Sequence, residues 1–529
     1  MEMSTQICAV CSVESKLKCS NCANVFYCSA AHQKDNWKAH KKSCYPIQIQ
    51  TSDIFGRYLV ASRDIKPGEI VLKESPLISG PSQITPPVCV GCLQGLSPEL
   101  KEECERCGWP ICSKTCQQTI DHRNECDLTV ARGSKISLKQ FFSPHPTYQC
   151  VTTIRCLMLK ETAPETWDKL MQLESHCEER RGSVLWLNDR EGVAKFIQRF
   201  FKCDRWSEEE ILKVAGIVQI NGHEIPLTEP PHVSIYSYAS FLEHSCSANL
   251  TKTFNTKGDI ILWTVGHIKK GEHLSICYTD ILWGTASRQH HLLQTKLFKC
   301  VCARCSDVTE LGTNYSAIKC NSKNEPCDGL LLPESLAKWE DSWRCNKCSH
   351  IAEYKYVANI VERAGKDLNA MEKGKEEHCI KYIEHYGQWL PPHHFYMCDV
   401  KIALTQIIGA GGPEALQGVP EEMLLLKIQL CQELLKIYQT VASAETRHLG
   451  ALHFELHAGL AEWGRRGVQQ LNNSFKGAFE ESLFNAEEAI RLLDKEPNIL
   501  PEGKICEQAK VNAESLKVLL GTTTASMDL

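Results

Sequence analysis

The chain has 529 residues, 43% of them hydrophobic, so it is too long for one compact core, and about three or four domains are expected. Its 59 Lys and Arg against 64 Asp and Glu leave a net charge of −5, which excludes a bulk basic field for nucleic acid. No apolar run approaches the roughly 20 residues of a membrane span, and the opening MEMSTQICAV lacks the basic-then-apolar layout of a signal peptide. An intracellular setting, cytoplasmic and nuclear, is expected. In such a reducing environment the thirty cysteines read as metal ligands rather than disulfides, because most of them are clustered.

The first cluster offers Cys8, Cys11, Cys19, Cys22, Cys28, His32, His40 and Cys44. At four ligands per tetrahedral ion these make two closed structural zinc sites, and so short a segment needs metal to fold. Residues 55–81 then read as two short strands around a Lys66-Pro67-Gly68 turn. The second cluster repeats the ligand order with Cys89, Cys92, Cys104, Cys107, Cys112, Cys116, His122 and Cys126, again enough for two zinc ions. Helical periods follow over 150–220. Turns at Thr256–Asp259 and Lys269–Gly271 separate further strands up to HLSICY. The third cluster, Cys300, Cys302 and Cys305, leaves a zinc one ligand short. The fourth, Cys320, Cys327, Cys345 and Cys348, reads either as a zinc ribbon or as buried structural cysteines.

Beyond residue 351 the pattern is helical. Phe479, Leu483, Ala486, Ile490 and Leu493 form one amphipathic stripe, and 423–438 has an apolar face wider than a surface helix needs. A helical-repeat array and a plain helical bundle both fit. His453 and His457, four apart, have no cysteine or carboxylate set nearby and read as packing or surface residues.

The ending YC…H…W…H…C of the first cluster resembles a MYND finger. The ordered motifs FGRY (55–58), an inserted cysteine module, HSC…N (244–249), GEHLSICYTD (271–280) and FKCVCARC (298–305) resemble the SET-and-MYND lysine methyltransferases. The extra N-terminal finger is similar to an arthropod branch of that family. The resemblance implies an α+β chain. Its segments would be a MYND finger (1–46), a first part of a β-rich SET domain (53–83), a second, diverged MYND-like module (84–130), the rest of the SET domain (131–281), a cysteine-rich post-SET region (282–350) and an all-α, helical-repeat-like domain (351–529).

It further implies interleaved zinc sites in the finger, Cys8, Cys11, Cys28 and His32 for one ion and Cys19, Cys22, His40 and Cys44 for the other. Cys246 would complete the Cys300, Cys302 and Cys305 site, for about six zinc ions in all. The implied activity is methyl transfer from S-adenosylmethionine to a lysine amine of a protein substrate, histone tails included. Tyr278 would be the catalytic tyrosine. Gly56, Arg57, Asn221, Glu243, His244, Tyr278 and Phe298 would form the cofactor site. The fingers would bind proline-rich peptides of transcriptional corepressors; no membrane partner is implied, and direct nucleic-acid binding is not expected. Three positions depart from the family pattern: Tyr58 replaces a glycine, Glu243 an asparagine and Ala248 a proline. A glycine at 58 would allow positive φ and close backbone approach, and a carboxylate at 243 accepts hydrogen bonds but cannot donate them. A non-catalytic adaptor on the same fold is the competing reading.

Overall fold

The computed structural model describes residues 7–527 apart from 16, 23–24, 42–43, 54, 324–325, 336–339 and 470–474, so the first six residues of the stretch read for a signal peptide lie outside it. The chain divides into two compact units, Met1–Glu243 with Lys252–Leu274 and Gln294–Leu297, and His244–Thr251 with Ser275–Leu293 and Phe298–Leu529.

In the first unit the strands Leu17–Lys18 and Phe26–Tyr27 pair antiparallel, and the helix Ala30–His40 follows. Ser29 starts that helix by accepting the His32 backbone N–H at 3.2 Å, which satisfies one of the donors a helix leaves open at its start. Asn21, in the turn between Cys19 and Cys22, is the fastening point. It donates to the Cys44 carbonyl at 2.9 Å and accepts from Arg63 Nε at 2.6 Å, while Ser62 Oγ donates to its backbone carbonyl.

Ile47–Ser52 pairs antiparallel with Gly56–Ala61. Gly56 sits at φ +62 with open space where a Cβ would stand, so its role is the backbone sign rather than room for a neighbour. The strands expected on either side of the Lys66-Pro67-Gly68 turn both form, but they are not partners. Ile70–Glu74 pairs instead with Ile260–Thr264. The Arg63–Glu69 ion pair and the Ile65–Ile268 bridge hold the connection and send the chain into a different sheet. A third strand, Ile78–Pro81, lies beside His232–Ile235, which pairs in turn with His223–Ile225.

The helix Val151–Thr162 buries Val151, Ile154, Cys156 and Leu157, yet it also carries a fully buried arginine. It approaches so closely that a Cβ on Gly80 would lie 2.3 Å from Thr152 Oγ1. Arg155 donates to both Glu125 carboxylate oxygens (Nε to Oε2 at 3.0 Å, Nη2 to Oε1 at 2.6 Å) and to the carbonyls of Ser79 (2.9 Å) and Val90 (2.5 Å). One guanidinium thereby joins the inserted cysteine module to the helix and the sheet beneath it. Buried charges are costly unless paired, so breaking the pair matters more than its net contribution suggests.

In the second unit a four-stranded antiparallel meander, Ile318–Lys319, Leu330–Pro333, Trp343–Cys345 and Ile351–Ala352, precedes the helices. The long helices Glu421–Val441, Thr446–Gln469, Phe475–Leu493 and Pro501–Met527 pack in succession. Glu421–Val441 explains its broad apolar face by its position. Leu430 packs into one core cluster, while Leu424, Cys431, Leu434 and Tyr438 pack into another. On the stripe, Phe479, Ala486 and Leu493 are buried. His453 and His457 are buried packing residues. His453 Nδ1 meets Asn485 Oδ1 at 2.8 Å and His457 Nδ1 meets Ser482 Oγ at 2.9 Å, tying two helices through a polar seam. Among the described residues no helix is long and apolar enough to cross a membrane.

Arg155→Met leaves the Glu125 carboxylate buried without its cation, a change that costs about 3–5 kcal/mol. Hydrogen exchange over residues 84–130 should accelerate accordingly, and adding Glu125→Gln should recover part of the loss. Unchanged protection in Arg155→Met would show that the bridge does not hold the module.

Candidate metal centres and active-site residues

The structure gathers the cysteines into quartets. Cys8, Cys11, Cys28 and His32 converge, as do Cys19, Cys22, His40 and Cys44; Cys89, Cys92, Cys112 and Cys116; Cys104, Cys107, His122 and Cys126; and Cys246, Cys300, Cys302 and Cys305. Within each set the ligating atoms lie within 4.8 Å of one another. In the meander, Cys320 Sγ is 3.6 Å from Cys348 Sγ, and Cys327 Sγ is 3.7 Å from Cys345 Sγ. Sulfur pairs elsewhere run from 3.4 Å (Cys112–Cys116) to 3.9 Å (Cys104–Cys126). A zinc–sulfur bond of about 2.3 Å makes a tetrahedron with edges of about 3.8 Å, whereas a disulfide needs about 2.05 Å. The donor sets fit zinc, and all thirty cysteines are free of disulfides. Cysteines outside the quartets behave differently: burial pushes the Cys156, Cys398 and Cys431 thiols up to about 12, keeping them protonated core residues.

His122 shows how the surroundings select a ligand atom. Its Nδ1 faces Glu125 Oε1 at 3.2 Å, leaving Nε2, 3.4 Å from Cys107 Sγ, to turn into the quartet. A carboxylate that holds the far ring nitrogen of a ligand histidine fixes its tautomer. Arg155 holds that carboxylate in place.

In the second unit the quartet around Cys246 adjoins the residues expected to do chemistry. Ser245 N–H donates to the Ile276 carbonyl at 3.1 Å, and Ser275 N–H donates to Asn249 Oδ1 at 3.0 Å, so residues 245–249 are laced to 275–276. Tyr278 N–H donates to His244 Nδ1 at 3.0 Å. A backbone N–H only donates, so Nδ1 carries the lone pair; burial pushes the imidazole down to about 4 and keeps it neutral. The ring proton is therefore on Nε2, which points at Cys246 Sγ, 3.3 Å away. The His244 ring centre lies 5.3 Å from that of Tyr278 and 5.8 Å from that of Phe298. Both His244 nitrogens are thus engaged inside the chain, which leaves its ring face and backbone for any cofactor contact.

The remaining expected residues lie in the first unit. Arg57 is exposed, with its guanidinium 4.9 Å from the Phe241 ring centre. Asn221 is buried at the end of the helix Glu208–Asn221, where its amide nitrogen donates to the carbonyls of Glu174 (2.7 Å) and Ile217 (2.9 Å). The argument for glycine at 58 is corrected here: Tyr58 lies within the strand Gly56–Ala61 and is not among the positive-φ residues. Tyr58 and Glu243 are also not separate departures. The Glu243 oxygens lie 3.1 and 3.0 Å from His273 Nδ1, and the His273 ring stacks on Tyr58 at 4.5 Å between centres, with Phe55 edge-on to both. The sequence reading missed His273, Arg155 and Arg288. An arginine inside an otherwise apolar helical run was the available signal for Arg155.

The architecture is that of a SET domain carrying cysteine-rich metal modules. A MYND finger family model matches residues 8–44 and a SET domain model matches 56–279. The two models match one after the other along this chain, the finger preceding the SET domain. It is 27% identical to "SET domain-containing protein SmydA-8, isoform A" of Drosophila melanogaster, over 61% of this chain and 69% of that protein. It is 28% identical to "Histone-lysine N-methyltransferase ASHR1" of Arabidopsis thaliana (62% and 71% covered) and 28% identical to "Histone-lysine N-methyltransferase SMYD3" of Homo sapiens (47% and 59% covered). The solved "Structure of Rubisco LSMT bound to AdoMet" matches with 13% identity over 91% of this chain and 92% of that one, at a TM-score of 0.25, too low to carry an argument.

Cys246→Ser should lower the bound metal by one ion and raise protease sensitivity around Phe298, because the other three ligands cannot close a tetrahedron. Full metal content with unchanged protease resistance would separate Cys246 from the site.

Proposed function

We propose that this chain transfers the methyl group of S-adenosylmethionine to lysine side chains of protein substrates, histone tails among them. The observation that supports the reading best is the grouping of Tyr278, His244 and Phe298 beside the Cys246 quartet, with the Tyr278 backbone held by His244. The cofactor, when bound, supplies an activated methyl on its sulfonium. Lysine, with a reference pKa of about 10.4, must lose a proton to attack. A partly apolar channel favours the neutral amine, and the Tyr278 hydroxyl orients it. In this reading Phe298 stacks on the adenine, and Gly56, Arg57, Asn221 and Glu243 complete the cofactor site. The six quartets hold structural zinc, the fingers take proline-rich corepressor peptides, and the protein works in cytoplasm and nucleus in transcriptional control.

A second reading, a non-catalytic adaptor on the same fold, is favoured by one observation. The Glu243 carboxylate is already engaged by His273 against Tyr58, where the family pattern has an amide and a glycine. The two readings differ in cofactor binding. At a hundredfold excess over its Kd, a ligand that binds only the folded state stabilises it by about 2.7 kcal/mol, so S-adenosylmethionine should raise the melting temperature. Tyr278→Phe should abolish methyl transfer to protein lysine while keeping most of that shift. No shift in wild type, with binding restored by Tyr58→Gly and Glu243→Asn together, favours the adaptor. No binding in either form would contradict the methyltransferase reading.

A further inference from the structure

Behind the Cys246 quartet lies a buried charge network that the SET chemistry does not use. Arg288, Arg304 and Glu310 are each at most 1% exposed. Arg288 Nη2 donates to Glu310 Oε2 at 3.2 Å, and Arg304 Nε donates to the same oxygen at 2.8 Å. Arg304 Nη1 also donates to the carbonyls of Ile281 (2.7 Å) and Val441 (3.0 Å), and Ser316 Oγ donates to Glu310 Oε1. Among the described residues Glu310 is the carboxylate in ion-pair contact with both guanidiniums. Two cations therefore share one anion in a dry interior, and one positive charge is left over. Isolated buried charge is too costly to leave uncompensated.

The missing counter-charge is next door. Arg288 Nε donates to Cys246 Sγ at 3.2 Å, and Nη2 lies 3.7 Å from Cys305 Sγ. Four neutral thiols would not balance a guanidinium, whereas four thiolates around a divalent metal carry two net negative charges. We propose that Arg288 is the outer-sphere charge partner of this quartet: its N–H groups cap the Cys246 and Cys305 thiolates, and the one positive charge left over in the Arg288–Glu310–Arg304 network offsets half of the two net negative charges of the metal-filled site. Arg288 acts as a positioning residue, through the sulfurs rather than on substrate. The inference rests on the metal reading of the quartet. Its consequence is that loss of metal strands a buried cation as well as opening the quartet. A thiolate without its N–H caps is more basic, more readily protonated and a stronger electron donor to its metal.

The test uses the full chain loaded with cobalt(II), whose sulfur-to-metal charge-transfer bands report on the thiolates. The spectrum of wild type minus that of Cys246→Ser isolates this site. Arg288→Met should move the isolated band to longer wavelength and speed release of one metal ion to a competing chelator about tenfold or more. Arg304→Met, which disturbs the network without touching sulfur, should leave the band in place. If Arg288→Met fails to fold, Arg288→Lys carries the test with a smaller shift in the same direction. An unshifted band with an unchanged release rate, or an equal shift in Arg304→Met, overturns the proposal. A Cys246→Ser chain with undiminished metal content would instead remove the metal reading itself, and this proposal with it.

Discussion

The convergence of Cys246 with Cys300, Cys302 and Cys305 is the constraint on which the second unit's chemistry depends. Bringing these sulfurs within 4.8 Å of one another closes a long loop of chain, and everything proposed for Tyr278 lies inside that closure. Cys246 Sγ faces His244 Nε2, and His244 Nδ1 accepts the Tyr278 N–H. A sulfur, an imidazole and a backbone amide thus form one continuous chain of contacts. Each group has a single role open to it, because the amide can only donate and the buried imidazole is neutral. The position of the tyrosine is consequently linked to a site whose folding energy comes from metal.

Two of the quartets share a second feature. Behind each of these two stands a fully buried arginine. Arg155 acts through Glu125 and His122, and Arg288 acts directly on sulfur. The two arrangements differ in sign logic. Arg155 and Glu125 neutralise each other and leave the carboxylate to orient an imidazole. Arg288 and Arg304 overbalance Glu310 and leave positive charge for thiolates. Both solve the problem of setting a charged metal centre against an apolar interior.

The ligand sets of the finger and the second module were legible because metal binding is written in local spacing, and the paired ligands there are separated by two or three residues. The quartet interleaving in the finger, which came from the resemblance, is also the grouping the structure presents. Strand existence was legible from the turns at Lys66–Gly68 and Thr256–Asp259, but strand pairing was not, since Ile70–Glu74 finds its partner nearly two hundred residues away. The buried ion pairs were invisible for the same reason: Arg155 and Glu125 share no local pattern. The Tyr58 and Glu243 departures looked independent because His273, which joins them, is remote from both in sequence. A one-sequence reading can register two odd residues but not the third that makes them a set.

The account holds that these clusters are folded around metal, so the most direct test is the zinc content of the purified full chain, measured by elemental analysis against protein concentration. It predicts about six zinc ions per chain, four from the two paired modules and one each from the Cys246 and Cys320 quartets. A ratio of two or fewer would contradict it.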